Sequence, residues 1–246
     1  MRKALVVGGS SGIGLSLAVL MAERGDVEKV YVVDKAPFPD NCMTAQIEYQ
    51  QFDLTSEDYS IFSQFDDIDT LIITAGFGRL ALFQDIDESL IPTYFNVNTI
   101  PVLRIIKHFF DKMLGDSDFY TCVMVSIAGF MSSPFFSVYG ATKAALKIFI
   151  ESVNVELEKS GSKNRILNVS PGSIKGTSFN NGQTDLSVLE EFGKTILSEM
   201  EKRNDLYIPQ YDEVYKEVLR RYHDDFRKEG SHSYDYKLNS GRIITK

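Results

Sequence analysis

The chain has 246 residues, 43% of them hydrophobic, 12% aromatic and 24% charged. That is enough apolar material to bury a sizeable core, and it excludes a mainly disordered polymer. With 34 acidic against 26 basic residues the net charge is −8, which argues against a general nucleic-acid binder but leaves room for a phosphate-bearing ligand held locally by backbone N–H groups.

Met1-Arg2-Lys3 and the apolar run after it have the outline of a signal peptide, but Gly8, Gly9, Gly12 and Gly14 interrupt the run. No apolar stretch approaches membrane-spanning length, so no membrane partner is expected. Cys42 and Cys122 are too few for a disulfide framework, and a reduced, cytoplasmic setting is the expectation. His108, His223 and His232 have no metal-ligand spacing, so no metal site is expected.

In chain order, Ala4–Val7 reads as a buried strand and Gly12–Arg24 as a helix ended by Gly25. Val30–Val33, Ile47–Phe52 and Thr70–Ile73 read as the second to fourth strands, and Val97–Leu114 as a long helix. Thr121–Val125 is the fifth strand, Tyr139–Lys159 a further helix and Arg165–Val169 the sixth strand. Fully apolar strands separated by helices predict an α/β fold, a doubly wound parallel sheet covered on both faces. No linker or repeat divides the chain, so one domain over 1–246 is expected. After Pro171-Gly172 a polar, turn-rich stretch leads to two amphipathic helices near 185–203 and 211–228, and 241–246 reads as a last short strand. Asn180, Asn181 and Gly182 look like a hinge. Leu186, Leu189, Phe192, Ile196 and Leu197 form an apolar face that suits either a cover over a ligand or a helix packed permanently on the core, so 178–228 is expected to form the substrate pocket, with about 178–205 as its lid on the first reading.

Gly8-Gly9-Ser10-Ser11-Gly12-Ile13-Gly14 follows the first strand and opens the first helix. Small residues there let the backbone approach a pyrophosphate, and the helix N-terminus supplies N–H donors. Asp34, about 20 residues on at the end of the second strand, is where a dinucleotide fold places an acid for the ribose hydroxyls; the plain alternative is a solvated turn residue. Asp34 favours NAD(H), and Lys35 beside it keeps NADP(H) open as the second option.

The spacing Gly8-x3-Gly12-x-Gly14 resembles the cofactor turn of the short-chain dehydrogenases/reductases, with Val7 where that family has Thr. Tyr139-Gly-Ala-Thr-Lys143 matches the family's Y-x-x-x-K, Ser126 stands where its catalytic Ser does, and Asn98 matches its fourth member. Thr74-Ala75-Gly76 resembles its N-A-G segment, and Pro171-Gly172 follows the sixth strand as expected. The resemblance covers residues 3–177 and implies a Rossmann-type fold with a C-terminal helical segment that binds substrate. It implies cofactor contacts from Gly8, Ser10, Ser11, Gly12, Ile13, Gly14, Asp34, Asp53, Leu54, Ala75, Gly76, Tyr139, Lys143, Pro171, Gly172 and Ile174. Thr177 would reach the phosphates, although the family has this Thr one position earlier.

The chemistry suits these residue types. A ketone gaining hydride at carbon needs a proton at oxygen, and free Tyr at about 10 is too weak an acid near neutrality unless an ammonium such as Lys143 stabilises the phenolate. Ser126 can donate to the substrate oxygen as charge develops. The resemblance implies that Lys143 also contacts the nicotinamide ribose and that Asn98 holds a water feeding protons toward it. Singly, Tyr139 also fits a helix-end aromatic, Lys143 a solvated charge, Ser126 a strand-end cap and Asn98 a helix cap.

The expected activity is therefore NAD(P)-dependent hydride transfer between carbonyl and alcohol. Phe130, Met131, Pro134, Phe135, Phe136 and Val138 suggest an apolar small-molecule substrate. The alternatives are an NAD-retaining epimerase or dehydratase and a non-catalytic nucleotide sensor on the same fold. The resemblance also implies a homodimer or homotetramer, paired through the helices beginning near Val97 and Tyr139, the second carrying Ala144, Phe149, Val153 and Leu157, although sheet packing is the other use for these side chains.

Overall fold

The computed structural model describes residues 1–177, 179 and 183–240. Its β-branched and aliphatic runs become strands β1 (Lys3–Val7), β2 (Lys29–Asp34), β3 (Ile47–Gln51), β4 (Thr70–Ile73), β5 (Tyr120–Met124) and β6 (Ile166–Val169), joined by a two-residue β7 (Leu206–Tyr207). All neighbours pair in parallel, in the order β3-β2-β1-β4-β5-β6-β7. The order reverses beside β1 and β4, and in such a sheet the crevice outside the strands' carboxyl ends at that point is the place for a ligand.

Helices cover both faces, because strands that are apolar on both sides must be buried on both. On one face α1 (Gly12–Ala22) packs with α6 (Leu186–Glu201), and Leu17, Met21, Ile196 and Met200 bury against Val6, Val32 and Ile72. On the other, α2 (Leu90–Asn98), α3 (Ile100–His108), α4 (Phe110–Leu114) and α5 (Ser137–Lys159) precede and follow β5, and Ile105, Phe109, Leu146 and Ile150 meet Leu5, Leu71 and Val123. After β7 come a π-helical turn at Tyr211–Tyr215, α7 (Lys216–Asp224) and α8 (Phe226–Leu238). Among the described residues no helix is long and apolar enough to cross a membrane.

Three expectations are corrected. The helix read over 97–114 is three helices starting earlier, at Leu90, with breaks at Thr99 and Phe109. Thr99 leaves helical geometry (φ −122°, ψ −63°) with its hydroxyl donating to the Thr142 carbonyl, and Pro101, which lacks an N–H, sits in the first turn of the restarted helix. The helix read over 211–228 splits at Asp225, whose carboxylate accepts from the backbone N–H of Arg227 and Lys228 and so starts α8. Third, of the two readings of the apolar face, the structure has the core-packed helix and not the cover: Leu189 and Ile196 are fully buried, and α6 packs on α1. The hinge read at Asn180-Asn181-Gly182 and the last strand at 241–246 lie outside the described residues.

Candidate active site

Where β1 ends, the chain folds back so tightly that no side chain fits at Gly8 or Gly14. Gly8 takes φ +88°, and a Cβ there would stand 2.4 Å from the Ala75 backbone nitrogen. A Cβ on Gly14 would stand 2.1 Å from the Gly8 carbonyl oxygen. Thr74 braces this turn, its hydroxyl donating to the Gly8 carbonyl at 3.0 Å. The result is a close cradle at the α1 N-terminus, whose first N–H groups have no acceptor within the helix. At the end of β2, Asp34 accepts from the N–H groups of Ser10 (2.9 Å) and Ala36 (3.0 Å), while Ser10 Oγ donates to the Ala36 carbonyl. Ser10 thus shapes the loop from behind. Next to it Lys35 Nζ pairs with Asp53 at 2.7 Å, and that contact, helped by the Thr55 N–H and hydroxyl, holds the Asp53 carboxyl down at about 2.

The second group gathers where β5 ends and α5 begins. Ser126, just past β5, accepts from the Ala128 N–H at 3.2 Å. Tyr139 lies in the first turn of α5 and Lys143 one turn later, both buried. Lys143 Nζ donates to the Met124 carbonyl at 2.8 Å and stands 5.8 Å from the centre of the Tyr139 ring. Burial draws the Lys143 ammonium down to about 8. Burial also pushes the Tyr139 phenol up to about 12, opposed by a hydrogen bond with Ser126. The expectation that Lys143 would lower the phenol does not describe this state of the protein: desolvation dominates, and the ammonium is turned to a backbone carbonyl.

Asn98, fully buried, clasps the backbone of Phe77 from both sides, its Oδ1 accepting from the N–H (2.9 Å) and its Nδ2 donating to the carbonyl (2.8 Å). Its Nδ2 also donates to the Thr142 hydroxyl at 3.3 Å, so the side chain ties the loop after β4 to α5. Thr177 donates its hydroxyl to the Ile174 carbonyl at 3.0 Å.

One cleft of about 980 Å³ runs from the glycine turn to Tyr139. Gly8, Ser11, Gly12, Ile13, Gly14, Asp34, Asp53, Leu54, Ala75, Gly76, Ser126, Tyr139, Pro171, Gly172, Ile174 and Thr177 all line it. Ser10, Asn98 and Lys143 are outside that lining and support it from behind. Phe77, Leu80, Met131, Phe136 and Phe179 make the apolar wall around Tyr139. The far wall comes from 214–218 and from α8, through Tyr215, Glu229, His232, Tyr236 and Lys237. So the pocket-forming part of the C-terminal region reaches beyond 228 and omits α6. The sequence reading missed these residues. Asp225, a ready helix cap, was the signal for α8, but nothing in the sequence marked which of its faces meets the cleft.

The family model for short chain dehydrogenases matches residues 2–186. The chain belongs to the short-chain dehydrogenase family. An uncharacterised oxidoreductase of Saccharomyces cerevisiae is 29% identical over 194 residues, 72% of this chain and 61% of the yeast protein's length. Two solved short-chain dehydrogenases share the fold over nearly all of both chains. One, from Burkholderia cenocepacia J2315 in complex with NADP, has a TM-score of 0.77 at 20% identity and covers 95% of this chain and 99% of its own. The other, from Burkholderia phymatum in complex with NAD, has a TM-score of 0.76 at 15% identity and covers 100% of this chain and 97% of its own. The short-chain dehydrogenase match ends at 186, so the far wall of the cleft lies outside it.

Proposed function

We propose that this chain is a nicotinamide-dependent oxidoreductase acting on a small, largely apolar carbonyl or alcohol, with Tyr139 as the group that gives and takes the proton. The observation that carries the reading is the single cleft joining the glycine turn to Ser126 and Tyr139. The residues fit a dinucleotide: Gly8 and Gly14 let the turn fold tightly at the α1 N-terminus, whose N–H groups suit a pyrophosphate, and Asp34 closes the far end. When bound, the nicotinamide supplies or accepts the hydride. Tyr139, protonated at neutral pH with its phenol at about 12, holds the proton a carbonyl oxygen needs on reduction. Ser126 donates to the same oxygen as charge builds there. Lys143 and Asn98 act as supports, Lys143 through the floor below Tyr139 and Asn98 through the Phe77 backbone. The apolar wall excludes water from the reacting carbon.

NADH is the favoured cofactor. The Asp34 carboxylate would repel a 2′-phosphate, and the Lys35 ammonium that could offset it is paired with Asp53. Dissociation constants should favour NADH over NADPH by at least about tenfold, roughly 1.4 kcal/mol; tighter NADPH binding would reverse the assignment. The activity itself is tested with a panel of apolar ketones and alcohols, followed by nicotinamide absorbance. Nucleotide binding with no turnover of any member would favour a nucleotide-sensing protein instead.

A further inference from the structure

The glycine turn already has an occupant. The N–H of Gly12, first residue of α1, donates to the hydroxyl oxygen of Thr184 at 2.7 Å, a contact across the chain from a residue the family match includes but no motif singles out. Thr184 is set in place by its neighbour. Asp185 donates its N–H to the Gly176 carbonyl at 3.2 Å and caps α6 by accepting from Ser187 and Val188. Since α6 is packed into the core against α1, the hydroxyl is presented from a fixed base.

Resting on the cofactor reading above, we propose that Thr184 is an internal competitor for the pyrophosphate subsite: its hydroxyl takes a donor that the dinucleotide's phosphate must claim, and so sets the protein's affinity for the cofactor. The chemistry favours an exchange. An α1 N–H donating to a charged phosphate oxygen makes a charge-assisted bond, roughly twice as strong as one to a neutral hydroxyl. The dinucleotide therefore wins the donor, but its net affinity is lowered by the hydrogen bond it replaces. Thr177, the residue read from the sequence as the phosphate contact, gives its hydroxyl proton to Ile174 and does not meet this N–H.

The test is a titration of the full chain with NADH, read by nucleotide fluorescence against a background that contains no Trp. Thr184→Val keeps the shape and deletes the acceptor; NADH should bind between about twofold and tenfold tighter, the range of one neutral hydrogen bond. Thr184→Ser keeps the hydroxyl and should stay within about twofold of the native chain. ADP-ribose, which carries both phosphates, should shift with NADH on Thr184→Val when it displaces bound NADH in competition, whereas adenosine in the same competition should not. If Thr184→Val fails to fold, Thr184→Ala takes its place. Unchanged NADH affinity overturns the proposal. So does weaker affinity, which would make Thr184 a ligand of the bound phosphate, and so does an equal shift for adenosine. Failure of the native chain to bind NADH, NADPH or ADP-ribose overturns the cofactor reading itself.

Discussion

Tyr139 and Lys143 are buried side by side, and burial moves them in opposite directions, the phenol up to about 12 and the ammonium down to about 8. Two outcomes follow at this scale. Tyr139→Phe removes one hydroxyl and leaves the ring among Phe136 and Phe179. Turnover should fall by about 10²–10⁴-fold while NADH affinity stays within about twofold. Steady-state rates with a nucleotide titration read both, and near-full activity in the variant would remove the residue from the mechanism.

Lys143 has a signature in stability. Its folded-state value of about 8 lies below the 10.5 of the unfolded chain, so between those values the unfolded state holds more protons and stability rises with pH. Relative to Lys143→Met, the native chain should gain up to about 3 kcal/mol between pH 8 and 10.5, measured by urea unfolding. A constant difference across that range would mean that the ammonium is not buried as described.

Among the elements, α6 has the clearest claim to a structural role. Its apolar face suits a moving cover as well as a core helix, because periodicity reports that a face is buried and says nothing of what buries it. The structure places Ile196 in the core beside α1 and buries Leu189 fully, and no residue of α6 lines the cleft. Leu189→Ala should therefore cost about 2–5 kcal/mol of folding stability. Hydrogen exchange over Leu186–Glu201 should be strongly protected with and without cofactor; protection that appears only with cofactor would return α6 to the lid. The strands were easier to read. Leu5-Val6-Val7 and Leu71-Ile72-Ile73 are apolar throughout and have one way to be buried, between two layers of helix. The break at Phe109 had no local signal, and β7 is only two residues long, paired to β6 by the fold rather than by any pattern of its own.

Across the whole molecule, the legible part of the site is the part whose chemistry is local. Gly8, Gly12 and Gly14 lie in one turn, and Tyr139 and Lys143 in adjacent turns of one helix, so spacing alone announces them. Thr184, Tyr215 and the α8 residues reach the cleft only through tertiary packing, and no spacing could have given them. Association belongs to this scale too. Ile148 and Val155 are more than half exposed on α5, and Ile100 at the start of α3 is nearly so, on two helices whose other sides cover the sheet. The chain is expected to pair through them, giving a dimer or tetramer mass by light scattering at micromolar concentration; a monomer mass would leave these side chains without that explanation.

Tyr215 comes down on Gly172 so closely that a Cβ there would stand 1.8 Å from the phenolic oxygen. Gly172 belongs to the segment beyond β6, within the family match, and Tyr215 to the region after it. The atom a Cβ at 172 would meet is the tip of a side chain, so a methyl group there would turn the Tyr215 phenol aside, and loss of the ring at 215 would open the cleft beside Gly172. Changes at 172 and 215 would then reshape the cleft without altering Tyr139 itself.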